Sequence, residues 1–252
     1  ESHALHGDGI YYESGDTLFV NLYAPSTAEW ASRGVRLEVA TDLPEGDSAR
    51  LTLTLHAPRS LTLALRRPFW AGSGFAVRIN GEVQADPSPP VAQGGPGARG
   101  AGAAGARGGR GRGQGRAQAA PPVSSYLKLT RIWKTGDTVE LTLPKSLRLE
   151  PTPDDPNRVA ILYGPLVLAG DLGEVGAGGT RRGGGARPSV PVFVAAGRPV
   201  EEWLRPVQGQ VCTFRTEDVG RMAADPQAPR DVTFRPFFRT HRTTYGVYWD
   251  LA

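Results

Sequence analysis

Apolar and polar residues alternate with a period of two along much of this chain. Leu18 and Val20 share one side of Thr17–Leu22. Val35, Leu37 and Val39 alternate with Arg36 and Glu38, and Leu51, Leu53 and Leu55 with Thr52, Thr54 and His56. Leu61, Leu63 and Leu65 alternate with Thr62, Ala64 and Arg66, and Phe75, Val77 and Ile79 with Ala76, Arg78 and Asn80. Leu127 and Leu129, then Val139, Leu141 and Leu143, continue the pattern. This period predicts strands with one apolar face, and such faces need a second sheet to cover them. Asn80-Gly81 offers two residues tolerant of positive φ, the signal of a tight hairpin. Gly136-Asp137 marks another turn.

After Pro151 the texture changes. Thr152-Pro-Asp-Asp-Pro156 is a turn cluster. Val159–Ala169 is almost continuously apolar, broken at Gly164-Pro165. Val190–Ala195, Val211–Arg215, Val232–Phe238 and Tyr245–Leu251 are further strand candidates. Short strands between Gly/Pro turns predict a second sandwich. Helix is expected only as the end of one over Glu1–His6, stopped by Gly7, and as one turn at Val200–Leu204. No repeat recurs at a fixed period. The expectation is an all-β chain of two β-sandwich domains, over 17–150 and 151–252.

Two glycine-rich segments interrupt this pattern and carry the positive charge. Residues 93–120 hold five arginines (Arg99, Arg107, Arg110, Arg112, Arg116) and no acid; without them the formal charge of +4 becomes −1. Residues 173–187 hold Arg181, Arg182 and Arg187 against Glu174, and omitting these as well gives −3. A pI near 9.5 is therefore no sign of a basic nucleic-acid-binding body. Gln93–Ala120 has no branched apolar residue to offset its ordering entropy and is expected to be a disordered loop insertion, with Gly173–Arg187 a shorter one. Its Arg-Gly run resembles an RNA-binding tract, but no aromatic lies between Phe75 and Tyr126 to stack on bases. Gly176–Gly185 is followed by no Lys-Ser/Thr, as a phosphate loop would be. Arginine outnumbers lysine 26 to 3, the bias that GC-rich codons produce. No run approaches the ~18 apolar residues of a membrane span, and no signal-peptide pattern opens the chain. The compartment stays open, with the cytoplasm favoured.

Candidate chemistry is sparse. Cys212 is the only cysteine, which excludes an internal disulfide and any multi-cysteine zinc site. It sits between Val211 and Thr213 in a strand pattern and is expected to be a buried structural thiol. His3, His6, His56 and His241 are too scattered for a metal motif. Asp154-Asp155 and Glu201-Glu202 are neighbours on the chain, whereas glycosidic acid/base chemistry needs carboxylates facing each other across ~5–10 Å; turn capping fits Asp154-Asp155 better. Trp30, Trp70, Trp133, Trp203 and Trp249 adjoin apolar residues or strand ends, so packing is the expected role for most.

One ordered set of motifs is specific. Glu1-Ser-His3 leads through Gly7-Asp8 to Ile10-Tyr11-Tyr12 and Asp16-Thr-Leu-Phe-Val-Asn21-Leu-Tyr23. Pro25-Ser26, Trp30, Val77-Arg-Ile-Asn80-Gly81, Trp133-Lys-Thr-Gly136-Asp137 and Val139-Glu-Leu-Thr-Leu-Pro144 follow. Then come Leu149-Glu-Pro151, Pro153-Asp-Asp-Pro-Asn157-Arg158-Val159 and Tyr163-Gly-Pro165. Pro236-Phe-Phe-Arg239, His241 and Tyr245-Gly-Val-Tyr248-Trp249-Asp250 close the series. In this order and spacing they resemble the C-terminal part of bacterial β-L-arabinofuranosidases of glycoside hydrolase family 127, over nearly all of the chain outside the two glycine-rich segments.

The resemblance implies a larger, retaining enzyme whose N-terminal (α/α)6 toroid, with residues 1–16 as its tail, precedes β-sandwich domains. It implies a zinc-bound cysteine nucleophile and a glutamate acid/base in that toroid, both upstream of Glu1. Only the Glu-x-His end of the nucleophile motif matches here. Glu1 and His3 are therefore the candidates for the rim of the pocket, and Cys212 matches no catalytic position. No catalytic residue, cofactor site or metal site is expected in this chain; zinc is implied only for the longer protein. The expected partners are the toroid and, through it, a carbohydrate, with no nucleic acid and no membrane span. The chain alone is expected to be inactive. The alternatives are a stand-alone carbohydrate-binding module, which a row of exposed aromatics on one sheet face would favour, and an RNA-binding or scaffold protein using its Arg-Gly tract.

Overall fold

The computed structural model describes residues 7–85, 125–174, 190–222 and 225–252. Glu1, His3, the expected helix end at Glu1–His6, the segment 93–120 and residues 175–187 lie outside these. The chain divides into two compact units, Glu1–Thr41 with Ala49–Leu143, and Asp42–Ser48 with Pro144–Ala252. Both are built of strands, and the fold is all-β.

The first unit contains β1 (Tyr11–Ser14), β2 (Thr17–Val20), β3 (Ser26–Trp30), β4 (Val35–Thr41), β5 (Ser48–Leu55), β6 (Arg59–Arg67), β7 (Ala76–Ile79), β8 (Glu82–Val83), β9 (Ser125–Trp133) and β10 (Thr138–Thr142). One sheet runs β1-β2-β6-β9 and the other β3-β4-β5-β10-β7-β8. After β2 the chain lays three strands in the second sheet and returns as β6, which makes β2 and β6 parallel (Thr17 opposite Thr62, Val20 opposite Leu65). The predicted alternation sets the burial. Leu18, Val20, Leu37, Leu51, Leu53, Leu63, Leu65, Val139 and Leu141 are at most 1% exposed and form the sandwich core. Asn80-Gly81 makes the β7–β8 turn with both residues at positive φ (52° and 88°). Asn80 also donates from its side-chain amide to Asp137 Oδ1 at 2.9 Å, and Lys134 N donates to Asp137 Oδ2 at 2.9 Å. The turn between β9 and β10 is thereby tied to the β7–β8 hairpin.

The second unit contains β11 (Leu147–Pro151), β12 (Arg158–Tyr163), β13 (Leu166–Glu174), β14 (Val192–Phe193), a single helical turn α1 (Val200–Trp203), β15 (Leu204–Pro206), β16 (Phe214–Thr216), β17 (Gly220–Met222), β18 (Asp225–Pro229), β19 (Thr233–Pro236), β20 (Thr243–Gly246) and β21 (Tyr248–Asp250). An eight-stranded sheet follows β11-β12-β13-β19-β16-β15, with β20 on β13 and β21 on β12; β14-β17-β18 form a small second sheet. Phe193 lies at the centre of the core. Its ring stacks on Trp249 (centroids 4.9 Å apart) and meets Trp203 at 5.7 Å and Phe234 at 6.1 Å. Gly170 is what lets Trp249 in, because a Cβ there would stand 2.3 Å from Cζ2 of its indole.

Thr17–Leu22 stops at Val20, and four other expected strands are cut or split. Val190–Ala195 shortens to two residues. Val232–Phe238 ends at Pro236, where a 3-10 turn over Phe237–Arg239 takes over, and Tyr245–Leu251 divides after Gly246. The fourth is corrected outright: Val211 and Cys212 are not in a strand. Val207 N bonds to Thr213 O and Gln210 N to Val207 O, closing a turn that holds Gly209 at φ 75° and Cys212 at φ 52°. The strand begins only at Phe214.

Candidate functional site

The turn Val207–Thr213 forms one wall of a groove of about 500 Å³ in the second unit. Gly209, Gln210, Val211, Thr213, Arg235 and Arg239 line it. β19 delivers Arg235, and the 3-10 turn after Pro236 delivers Arg239. Neither guanidinium is a free charge. Arg239 Nη2 lies 2.5 Å from Glu45 Oε2, and Arg235 Nη2 lies 3.6 Å from Asp171 Oδ2.

Glu45 belongs to the short loop 42–48. That loop is tight enough for Gly46 N to bond to Asp42 O at 2.8 Å, and a Cβ on Gly46 would overlap the Asp42 carboxyl group. The Glu45 carbonyl accepts from Lys145 Nζ at 3.0 Å and from Cys212 Sγ at 3.4 Å. Lys145 also lies over the Tyr163 ring, 5.5 Å from its centroid. Gly164 leaves room for its stem: a Cβ there would be 2.4 Å from Lys145 Cγ.

These surroundings determine what Cys212 does. Burial pushes its thiol pKa up, Lys145 and Arg239 pull it down, Glu45 raises it, and the balance is upward. A nucleophilic cysteine needs the opposite shift. The thiol is instead protonated at neutral pH and donates to the Glu45 carbonyl. Burial likewise raises the pKa of Tyr163.

The other candidates are placed as follows. Asp155 Oδ1 accepts from Asn157 N at 2.9 Å, and Thr152 donates to the Asp155 carbonyl at 3.0 Å, so this acidic pair caps its turn. Glu201 and Glu202 are exposed in the first turn of α1. Trp133, Trp203 and Trp249 are fully buried, while Trp30 and Trp70 are partly so. His241 is exposed. Among the described residues no three His, Cys, Asp or Glu side chains gather to hold a metal. Nor is any helix there long and apolar enough to cross a membrane. Sequence reasoning did not find Glu45 or Lys145, and met Tyr163 only as part of a motif; the usable signals were Gly46 and Gly164, each of which marks a close approach.

Residues 17–91 match the family described as "Beta-L-arabinofuranosidase, GH127 middle domain". Residues 148–251 match a second family, described as a domain of unknown function. No curated protein sequence matches the chain. Several solved structures share the fold, among them the following three. One is a GH127 β-L-arabinofuranosidase, Ara127N-Se, from Geobacillus stearothermophilus T6 (19% identity, TM-score 0.58, 98% of this chain and 35% of that one). A second is a glycoside hydrolase (17%, 0.60, 96% and 37%). The third is a GH127 β-arabinofuranosidase (18%, 0.57, 96% and 36%). The chain spans about a third of the length of these relatives. Its resemblance to the C-terminal part of GH127 proteins is thus borne out by the family match over residues 17–91 and by the fold.

Proposed function

We infer that this chain is the non-catalytic β-sandwich region that supports the toroid of a retaining glycosidase acting on β-L-arabinofuranosides or related plant glycans. The observation that carries the reading is the GH127 middle-domain match over residues 17–91. The site chemistry agrees with it. Retaining hydrolysis needs an ionised nucleophile and a proton donor across the anomeric carbon, whereas Cys212 is a protonated thiol bonded to a backbone carbonyl. On this reading zinc and the reacting groups would belong to the toroid, not to the described residues.

The test is a longer protein that includes the upstream toroid. It should hydrolyse an aryl β-L-arabinofuranoside, and Cys212→Ser in it should leave kcat/KM unchanged. A longer protein that hydrolyses some other glycoside and not this one would refute the substrate class. Loss of activity on Cys212→Ser without loss of fold would refute the assignment of the chemistry.

A further inference from the structure

The eight-stranded sheet of the second unit has a face turned away from the Phe193 core, and its aromatic content is not explained by packing. Trp249 points into the core, so its neighbour Tyr248 points out; Gly246 abuts Trp249, so Tyr245 also points out. In register, Tyr245 stands opposite Asp171, Tyr248 opposite Ala160 and Arg235 opposite Ala169. These residues therefore share the outer face. Phe237 joins them, its ring edge-on to Tyr245 at 5.4 Å. Tyr245, Phe237 and Tyr248 are 42%, 47% and 59% exposed, so each offers ring surface to a ligand. Tyr245 and Tyr248 are three residues apart, at most about 10 Å along the chain, close enough to meet neighbouring residues of one bound polymer.

We propose that this outer face, around Tyr245, Tyr248 and Phe237 and continuing through Arg235 into the groove, binds a neutral glycan chain. Sugar rings present C–H faces that stack on exposed aromatic rings, and hydroxyls that bond to a few fixed planar polar groups. The Asp171–Arg235 pair supplies an acceptor and a donor side by side next to Tyr245. Charge selects against an acidic ligand. Both arginines of the groove already face a carboxylate, Asp171 and Glu45, and Arg215 on the same sheet lies 3.5 Å from Asp231. An anion would have to displace these carboxylates, whereas a hydroxyl can bond to a pair without breaking it.

This inference deepens the accessory reading and rests on it only for the choice of pentose glycans as probes. The test is affinity electrophoresis of the 252-residue chain through gels containing arabinan, arabinoxylan or neutral β-glucan, with polygalacturonate as the anionic counterpart. Neutral glycan should retard the chain. Tyr245→Ala and Tyr248→Ala should each weaken retardation about three- to tenfold, with an unchanged thermal midpoint. Tyr12→Ala, at an exposed position of the first unit, should have no effect. Retardation by β-glucan but not by arabinan would uphold the face as a glycan site and count against the arabinoside reading. Lack of retardation by any neutral glycan, retardation by polygalacturonate alone, or full retardation of both folded tyrosine variants would overturn the proposal.

Discussion

Gly170 sits where a side chain has no room. Gly170→Ala brings its Cβ against both Trp249 and Val232, and overpacking of this kind costs ~1–3 kcal/mol. Gly9→Ala meets nothing within 4 Å and should be near neutral; equal effects in urea unfolding would contradict the packing described. Asp137 governs a pH dependence. Burial pushes its carboxyl up, but the Asn80 amide, the Lys134 backbone N–H and the charges of Arg131 and Lys134 outweigh that and hold it below its ordinary value. A depressed carboxyl stabilises above the unfolded-state value of about 3.9, and that stability is lost as pH falls through the folded value. Asp137→Ala should therefore cost about 2 kcal/mol at pH 7, and the gap should narrow in unfolding curves below pH 4. A gap independent of pH would show that the ionised form is not what matters. Cys212 should alkylate with iodoacetamide more slowly at pH 8 than an unhindered thiol, because its pKa is raised. Rapid labelling at pH 7 would contradict its place against the Glu45 carbonyl.

The strands with clean alternation were legible from sequence because one face of each is buried. β4, whose pattern runs buried-exposed along Val35–Ala40, is the clearest. β1 and β3 gave no such signal: Tyr11–Ser14 and Ser26–Trp30 have no fully buried residue, so hydropathy does not mark them. β11 and β15 were missed for related reasons, one with no fully buried residue and the other only three residues long. Cys212 misled because Val211 and Thr213 mimic a strand, while the deciding constraint is a backbone turn that no side chain announces. Of the groove and its surroundings, Cys212 was singled out in advance, and Arg239 and Tyr163 only as parts of the ordered motifs. Glu45, Lys145 and Cys212 come together from three distant points of the chain, which local pattern does not encode. At this scale the aromatic core is the element most exposed to test. Phe193 belongs to two-residue β14 and touches Trp203, Phe234 and Trp249. Phe193→Ala should remove ~3–5 kcal/mol, seen as loss of near-UV ellipticity at lower denaturant. A loss below 1 kcal/mol would mean the cluster is not the centre of the second unit.

The molecule as a whole should give a strand-dominated far-UV spectrum, since among the described residues α1 is four residues long. A helix content above about a third, the average for globular proteins, would contradict the all-β architecture. Fold class was readable in advance because it follows from summed periodicity, and parentage because many weak motifs occur in order. The outer aromatic face was not readable, since which side of a strand Tyr245 and Tyr248 occupy depends on where Trp249 packs. The central proposal is that these 252 residues hold none of the reacting groups of a glycosidase. It is tested most directly by assaying this chain alone against an aryl β-L-arabinofuranoside, with and without added zinc. No turnover above the uncatalysed rate is expected in either condition. Zinc-dependent turnover that disappears in Cys212→Ser would contradict the account.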